Sequence, residues 1–246
     1  VMYDRSVFFL YRPKKDLKLT YRITYKMTGE KKRQIVLDSS LDILASCTVI
    51  DINQSGHVSV RFSLEEGTFI SNNIKKDFPY KGKSNLITVD QHGSVIKRED
   101  TVPYGILEYF NFSLPEEEIK PAFPWESVCY NVFPNIKSPV EMRGSFRLIR
   151  FEGFKGYNCA HISMFLKPRF IMLTENVRQT LSGNGYILYD PDYSIFAFMS
   201  IDTMSDTGSA GLIFRSSFIQ EISPAIKQAR PAPADCSVSE EYFTRY

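Results

Sequence analysis

Nowhere does this chain approach the ~20 consecutive apolar residues that a helix needs to cross a bilayer, so no transmembrane segment is expected. Cysteine is scarce: Cys47, Cys129, Cys159 and Cys236 form no Cys-x-x-Cys pair. That excludes zinc ribbons and thioredoxin-like redox sites, while the even count leaves disulfides open in an oxidising compartment. Histidine is scarcer still. His57, His92 and His161 lie far apart, and none has a carboxylate or cysteine at a metal-ligand interval, so neither a metal nor a cofactor is expected. The chain also lacks a phosphate loop, a dinucleotide fingerprint and a Gly-x-Ser-x-Gly elbow. Finally, it lacks a dominant charge, with 30 Lys and Arg against 28 Asp and Glu. Its basic clusters, Lys14-Lys15, Lys31-Lys32-Arg33 and Lys75-Lys76, are short and local. Nucleic acid needs a clustered basic face, so it is not an expected partner.

What the chain does have is alternation with a period of two, the mark of strands with one buried face. Over Leu17 to Thr28, the residues Leu17, Leu19, Tyr21, Ile23, Tyr25 and Met27 alternate with Lys18, Thr20, Arg22, Thr24, Lys26 and Thr28. Two similar hairpins follow about a hundred residues apart. One runs from Cys47 to Leu64 and turns at Asn53-Gln54-Ser55-Gly56; the other runs from Phe146 to Leu166 and turns near Gly153-Phe154-Lys155-Gly156. In the second, Ala160, Ile162, Met164 and Leu166 alternate with Cys159, His161, Ser163 and Phe165.

This pattern predicts a mostly β fold: duplicated, antiparallel, curved sheets, half-barrel or sandwich-like, with one or two short helices. Long strands favour open curved sheets over compact sandwiches. The expected organisation is an N-terminal arm over 1–16, a first β repeat over 17–114, a second over 115–222 and an extended C-terminal arm over 223–246. Within it, Val7 to Tyr11 reads as an added edge strand, and Gly29-Glu30-Lys31-Lys32 as a turn. Arg33 to Ile52 reads as a strand with a bulge near Asp38-Ser39-Ser40, and Arg169 to Leu181 as a further strand. Asp90-Gln91-His92-Gly93 and Asp190-Pro191-Asp192 have strong turn chemistry. The best helix candidate is Thr101 to Asn111, with a Thr cap and Pro103 in its first turn.

One catalytic motif has to be weighed. Asp206-Thr207-Gly208-Ser209 has the Asp-Thr-Gly-Ser signature of pepsin-like aspartic proteases. That chemistry needs two carboxylates sharing a proton, and the motif occurs once, without an apolar strand delivering it. It is also ordinary turn composition. An aspartic protease acting through Asp206 is therefore the remote alternative, and no catalytic residue is assigned. Asn53-Gln54-Ser55 and Asn111-Phe112-Ser113 match the glycosylation sequon, and Trp125 reads as a core or rim anchor.

The runs Leu19-Thr20-Tyr21-Arg22-Ile23-Thr24-Tyr25, Val49-Ile50-Asp51 through Gly56-His57-Val58, and Leu86-Ile87-Thr88-Val89-Asp90-Gln91-His92-Gly93 resemble an uncharacterised family of secreted bacterial β-rich proteins. Leu114-Pro115, Trp125 and the hairpin from Gly185 to Asp190 fit its later features, although Phe123-Pro124 replaces the Gly-Asp that usually precedes the Trp. The resemblance covers roughly 17–222. It implies a bacterial cell-envelope location, periplasmic or exported, and no known activity. By analogy of fold, the long curved sheets are similar to the half-barrels of periplasmic lipoprotein carriers. The start at Val1-Met2-Tyr3 is read as that of a processed product.

The expected function is that of a non-enzymatic structural or assembly subunit, binding other protein chains or its own copies through strand edges and terminal arms. Tyr242, Phe243 and Tyr246 would be the partner anchors. The alternative is a periplasmic carrier of a lipid or other apolar ligand, marked by surplus apolar residues on the concave face.

Overall fold

Alternation carries the chain into strands longer than its turn residues suggest. The computed structural model describes residues 6–100, 113–131, 140–174, 177–208 and 211–223. The helix expected at 101–111, and the terminal arm with Cys236, Tyr242, Phe243 and Tyr246, lie outside the described residues. Twelve strands form one open, curved, wholly antiparallel sheet. They are β1 (Lys18–Lys31), β2 (Gln34–Ile52), β3 (Val58–Ser71), β4 (Ile74–Lys76), β5 (Ser84–Val89), β6 (Val95–Asp100), β7 (Pro124–Asn131), β8 (Val140–Phe154), β9 (Tyr157–Thr174), β10 (Val177–Asp190), β11 (Ile195–Asp206) and β12 (Leu212–Ile222). The spatial order is β6-β5-β3-β2-β1-β12-β11-β10-β9-β8-β7, with β4 beside β3. Among the described residues there is one curved sheet, with no second sheet stacked on it to make a sandwich.

The register builds the core row by row. Ile43, Ile23, Gln220, Met199, Ile187, Ile162 and Leu148 stand side by side across seven strands. The neighbouring row is Leu41, Tyr25, Phe218, Ile201, Gly185, Met164, Phe146 and Trp125. These side chains fill the concave, inner face, and Ile23, Ile43, Ile187, Met199 and Leu148 are fully buried. Each such side chain contributes roughly 1.5–3 kcal/mol by leaving water. On the opposite phase Lys18, Arg22 and Lys26 face solvent, as the alternation predicts.

The N-terminal arm plugs one end of the concavity rather than lengthening an edge. Val7 makes a single bridge to Ile119, and Phe9 is fully buried, its ring 6.1 Å from Trp125 and 6.0 Å from Tyr189. The backbone N–H of Tyr11 donates to the carbonyl of Gln91, and the hydroxyls of Tyr189 and Ser194 donate to the carbonyl of Leu10. An apolar side chain every second residue thus marks a plug here, because the arm has only one strand-like contact.

Three further expectations are corrected. Gly29 is not in a turn: β1 runs on to Lys31 and reverses at Lys32-Arg33, both at positive φ (50° and 65°). Gly29 lies within the strand because a Cβ there would meet the Phe214 ring at 3.0 Å. Against β1 the β2 bulge is at Val36, where Gly29 pairs with Leu37 and Glu30 with Ile35, and against β3 another is at Ile50; Ser39 stays in phase and buried. The segment 169–181 is not one strand. β9 continues through Pro168, which sits at the bulge opposite Ser182, and the chain reverses between Thr174 and Val177. A bulge spares the proline a ladder donor, so the residue that reads as a break is absorbed.

Among the described residues the inner face keeps polar atoms without a hydrogen-bond partner, the Trp125 indole N–H and the Gln220 amide. Gln220 is 0% exposed, and neither atom of its amide has a hydrogen-bond partner in the protein. Two outcomes follow. Replacing Ile23 by Asp buries an unpaired charge and should cost on the order of 3 kcal/mol or more, whereas Arg22→Ala removes an exposed contact to Asp42 and should barely move the denaturation midpoint. Replacing Gln220 by Met, of similar shape, should raise stability by about 1–2 kcal/mol, since it removes an orphaned amide; urea unfolding of the three variants measures all of this.

Candidate functional site

A cavity lies on the solvent side of the sheet. It is a groove of about 520 Å³ across β1, β12, β11, β10 and β9. The register explains its lining. One outer row runs Lys26, Ser217, Asp202, Asn184 and Phe165; the next runs Thr28, Arg215, Met204 and Ser182. These are the residues that line the groove, together with Gly183, Thr203 and Ser216. Five strands at the usual spacing give it a length of roughly 19 Å.

The inner row beneath the groove runs Met27, Ser216, Thr203, Gly183 and Leu166, with small residues at its centre. Gly185, two residues along, lets β10 and β11 approach closely: a Cβ there would lie 2.0 Å from the carbonyl oxygen of Ser200. Small residues inside a strand often mark a close backbone approach.

Chemically the groove is graded. At the β1–β12 end stand Lys26 and Arg215; toward β9 stand Met204 and Phe165, exposed by 43% and 51%. The hydroxyls of Thr28 and Ser217 stand beside the cations, and Ser182 and Asn184 on β10 lie nearer β9. Among the described residues, neither Lys26, Arg215 nor Asp202 forms an ion pair; the Arg215 guanidinium only approaches the Met204 sulfur, at 3.4 Å. Elsewhere on the same face three cations are close to carboxylates: Arg22 to Asp42 at 2.5 Å, Arg150 to Glu152 at 2.6 Å and Lys155 to Glu221 at 2.8 Å.

Next to the groove the β8–β9 hairpin closes a small apolar cluster on the outer face. Phe154 packs on Phe198 (5.6 Å), and Tyr186 lies between Phe198 (5.2 Å) and His161 (4.9 Å). Leu188 is buried with them. His161 has a carboxylate neighbour after all: its Nδ1 lies 3.0 Å from Glu152 Oε1. The partner comes across the hairpin, not along the chain, because the bulge at Ile149 sets Arg150 opposite His161. Burial alone would raise the Glu152 pKa, but hydrogen bonds from His161 and Arg150 outweigh it and hold the carboxyl below its usual range.

The other residues weighed from sequence are not brought together. The Asp206 carboxylate accepts from the N–H of Gly208 at 2.7 Å, and the Thr207 hydroxyl bonds the backbone of Leu212, so the motif shapes the β11–β12 turn. Asn53, Asp90 and Asp190 fold their own turns in the same manner. Trp125 stacks on Phe146, 5.7 Å away, as an anchor of the plugged end. Sequence reasoning passed over Lys26, Asp202, Arg215 and Phe165 as groove residues. The one local signal was Gly183-Asn184-Gly185, two glycines inside a strand.

No family model matches the chain, and no curated protein matches it in sequence. Among solved structures its fold is similar to that of lipovitellin, in a structure describing lipid–protein interactions, with a TM-score of 0.53 and 10% identity. The match covers 89% of this chain and 26% of the lipovitellin chain, so this chain spans about a quarter of that protein. At that identity the likeness is one of fold alone.

Cys47 and Cys159 are both buried and free. Burial pushes each thiol up to about 12, helped at Cys159 by Asp190 and Glu152. Since the thiolate is the reactive form, iodoacetamide at pH 8 should leave both unmodified in the native protein and label both after denaturation. Peptide mapping reads the two sites separately.

Proposed function

We propose that this chain is a non-catalytic binding protein for amphiphilic, lipid-like molecules, held in the groove across β1, β12, β11, β10 and β9. The observation that carries this reading is the groove itself: about 520 Å³, apolar at one end and polar at the other. Pockets for small molecules commonly measure about 300–1,000 Å³ and mix apolar walls with a few polar groups. The fold likeness to lipovitellin supports the reading by analogy only. The carrier alternative drawn from the sequence places the ligand on the concave face. That face is apolar, but it is packed, and under the arm only a crevice of about 10 Å³ is left, among Tyr11, Leu19, Tyr21 and Phe196. The ligand is therefore assigned to the solvent-side groove. An exported, envelope setting goes with this reading.

A second reading, assembly with other chains, draws on the sheet edges. Among the described residues no strand pairs with the outer sides of β6 and β7, and β6 exposes Val95 and Ile96. Open edges invite strand addition.

The groove reading is tested with Nile red and with native mass spectrometry of protein from its own source. Phe165→Asp and Met204→Asp should each lower Nile red affinity at least about fivefold, the loss expected from placing a charge on an apolar contact. Ile96→Asp, exposed on β6 and four strands away from β1, should leave it unchanged. Equal binding by all three would remove the groove from the function. Native spectra showing multiples of the chain mass, with no small-molecule adduct, would favour the edge reading.

A further inference from the structure

The polarity of the groove also bears on the ligand's head group. Arg215 and Ser217 are on β12, and Ser217 pairs with Lys26 on β1. Lys26 and Arg215 are therefore diagonal neighbours on one face, with Cβ atoms roughly 7–8 Å apart. Both are long side chains and both can reach one anion between them. Thr28, opposite Arg215, and Ser217, opposite Lys26, add hydroxyl donors to the same spot. Asp202 flanks Ser217 from β11, yet neither cation pairs with it. Two unpaired cations face one carboxylate at this end; Met204 stands beside Arg215, and Phe165 on β9 lies at the other end.

We propose that the groove selects an amphiphile with an anionic head, a carboxylate or a phosphate, bound between Lys26 and Arg215, its apolar chain running over Met204 to Phe165. The inference rests on the groove reading above and adds the sign of the head group. Charge-assisted hydrogen bonds to a carboxylate or phosphate are the strong ones, and Arg supplies them with fixed geometry. The unpaired state of the cations is the second support. Arg22, Arg150 and Lys155 on this face are held by carboxylates, whereas among the described residues Lys26 and Arg215 are not, which leaves both available to a ligand in the groove. Asp202 then opposes the anion and limits its affinity, a role opposite to that of its two neighbours.

The test uses the full chain and four probes of one chain length, dodecanoate, dodecyl phosphate, dodecanol and dodecylamine, each below its micelle concentration. Dissociation constants come from titration calorimetry. The two anions should bind about tenfold or more tighter than dodecanol, and dodecylamine most weakly. Lys26→Gln and Arg215→Gln should each weaken dodecanoate roughly 5–10-fold and leave dodecanol unchanged. Asp202→Asn should tighten dodecanoate. Acetate and inorganic phosphate should not displace it, because a head group without a chain lacks the apolar contact; displacement by either would make this an anion site and overturn the proposal. Equal affinities for the acid and the alcohol, or variants that shift both alike, would overturn the head-group assignment while leaving the groove reading intact. If none of the four probes binds, both fall. All three substitutions are at solvent-facing positions, so unchanged circular dichroism will separate lost binding from lost fold.

Discussion

The pairing of β1 with β12 is the contact on which the rest of the sheet depends. It holds eleven residue pairs in register, from Tyr21 against Ile222 to Lys31 against Leu212. Without it there would be two shorter sheets, each with an apolar face and no partner to bury it. With it, the inner rows run unbroken from β2 to β8, and one core is made from both halves of the chain. The groove depends on the same contact. Its cationic end is formed by Lys26 on β1 and Arg215 on β12, two residues that only this pairing makes neighbours.

The two faces divide the work by phase alone. Along β10, Ile187 and Tyr189 enter the core while Asn184 and Tyr186 face out. A one-residue slip would exchange every such pair, so the buried rows fix the register. That register also decides which polar residues meet outside. Bulges are the exceptions that re-aim side chains. The one at Ile149 brings Arg150 opposite His161, and the one at Lys167-Pro168 lets β9 keep pairing past a proline.

Local signals were legible in the sequence, and long-range ones were not. The faces of β1 follow directly from Leu19, Tyr21 and Ile23 against Lys18 and Arg22. The turns at Asn53–Gly56, Asp90–Gly93 and Asp190–Asp192 follow from side chains that bond their own backbone. The all-antiparallel curved sheet follows from strand length. By contrast, Gly29 and Pro168 were misread because a tertiary environment, an aromatic ring over one and a bulge at the other, overrides their usual meaning. The plug was misread because an arm and a strand have the same alternation. The groove could not be read at all. Lys26, Asp202 and Arg215 are ordinary solvent-side residues of three strands, and only strand order brings them to one place.

Strand order has a further consequence, which is topological. From β1 to β6, and again from β7 to β12, the main path moves to an adjacent strand at each step, apart from the short β4 beside β3. The sheet's two edges, β6 and β7, are consecutive in the chain, and the first and last strands are side by side. The strands therefore follow a cyclic meander that is cut open at the β6–β7 gap, with the chain entering at the point opposite the cut. A chain that entered at the gap would make only nearest-neighbour hairpins. This one leaves its central ladder to the pair with the greatest sequence separation. Loop-closure entropy sets such a pair last in the order of assembly. The groove straddles that ladder, so it comes into existence only when the sheet is complete.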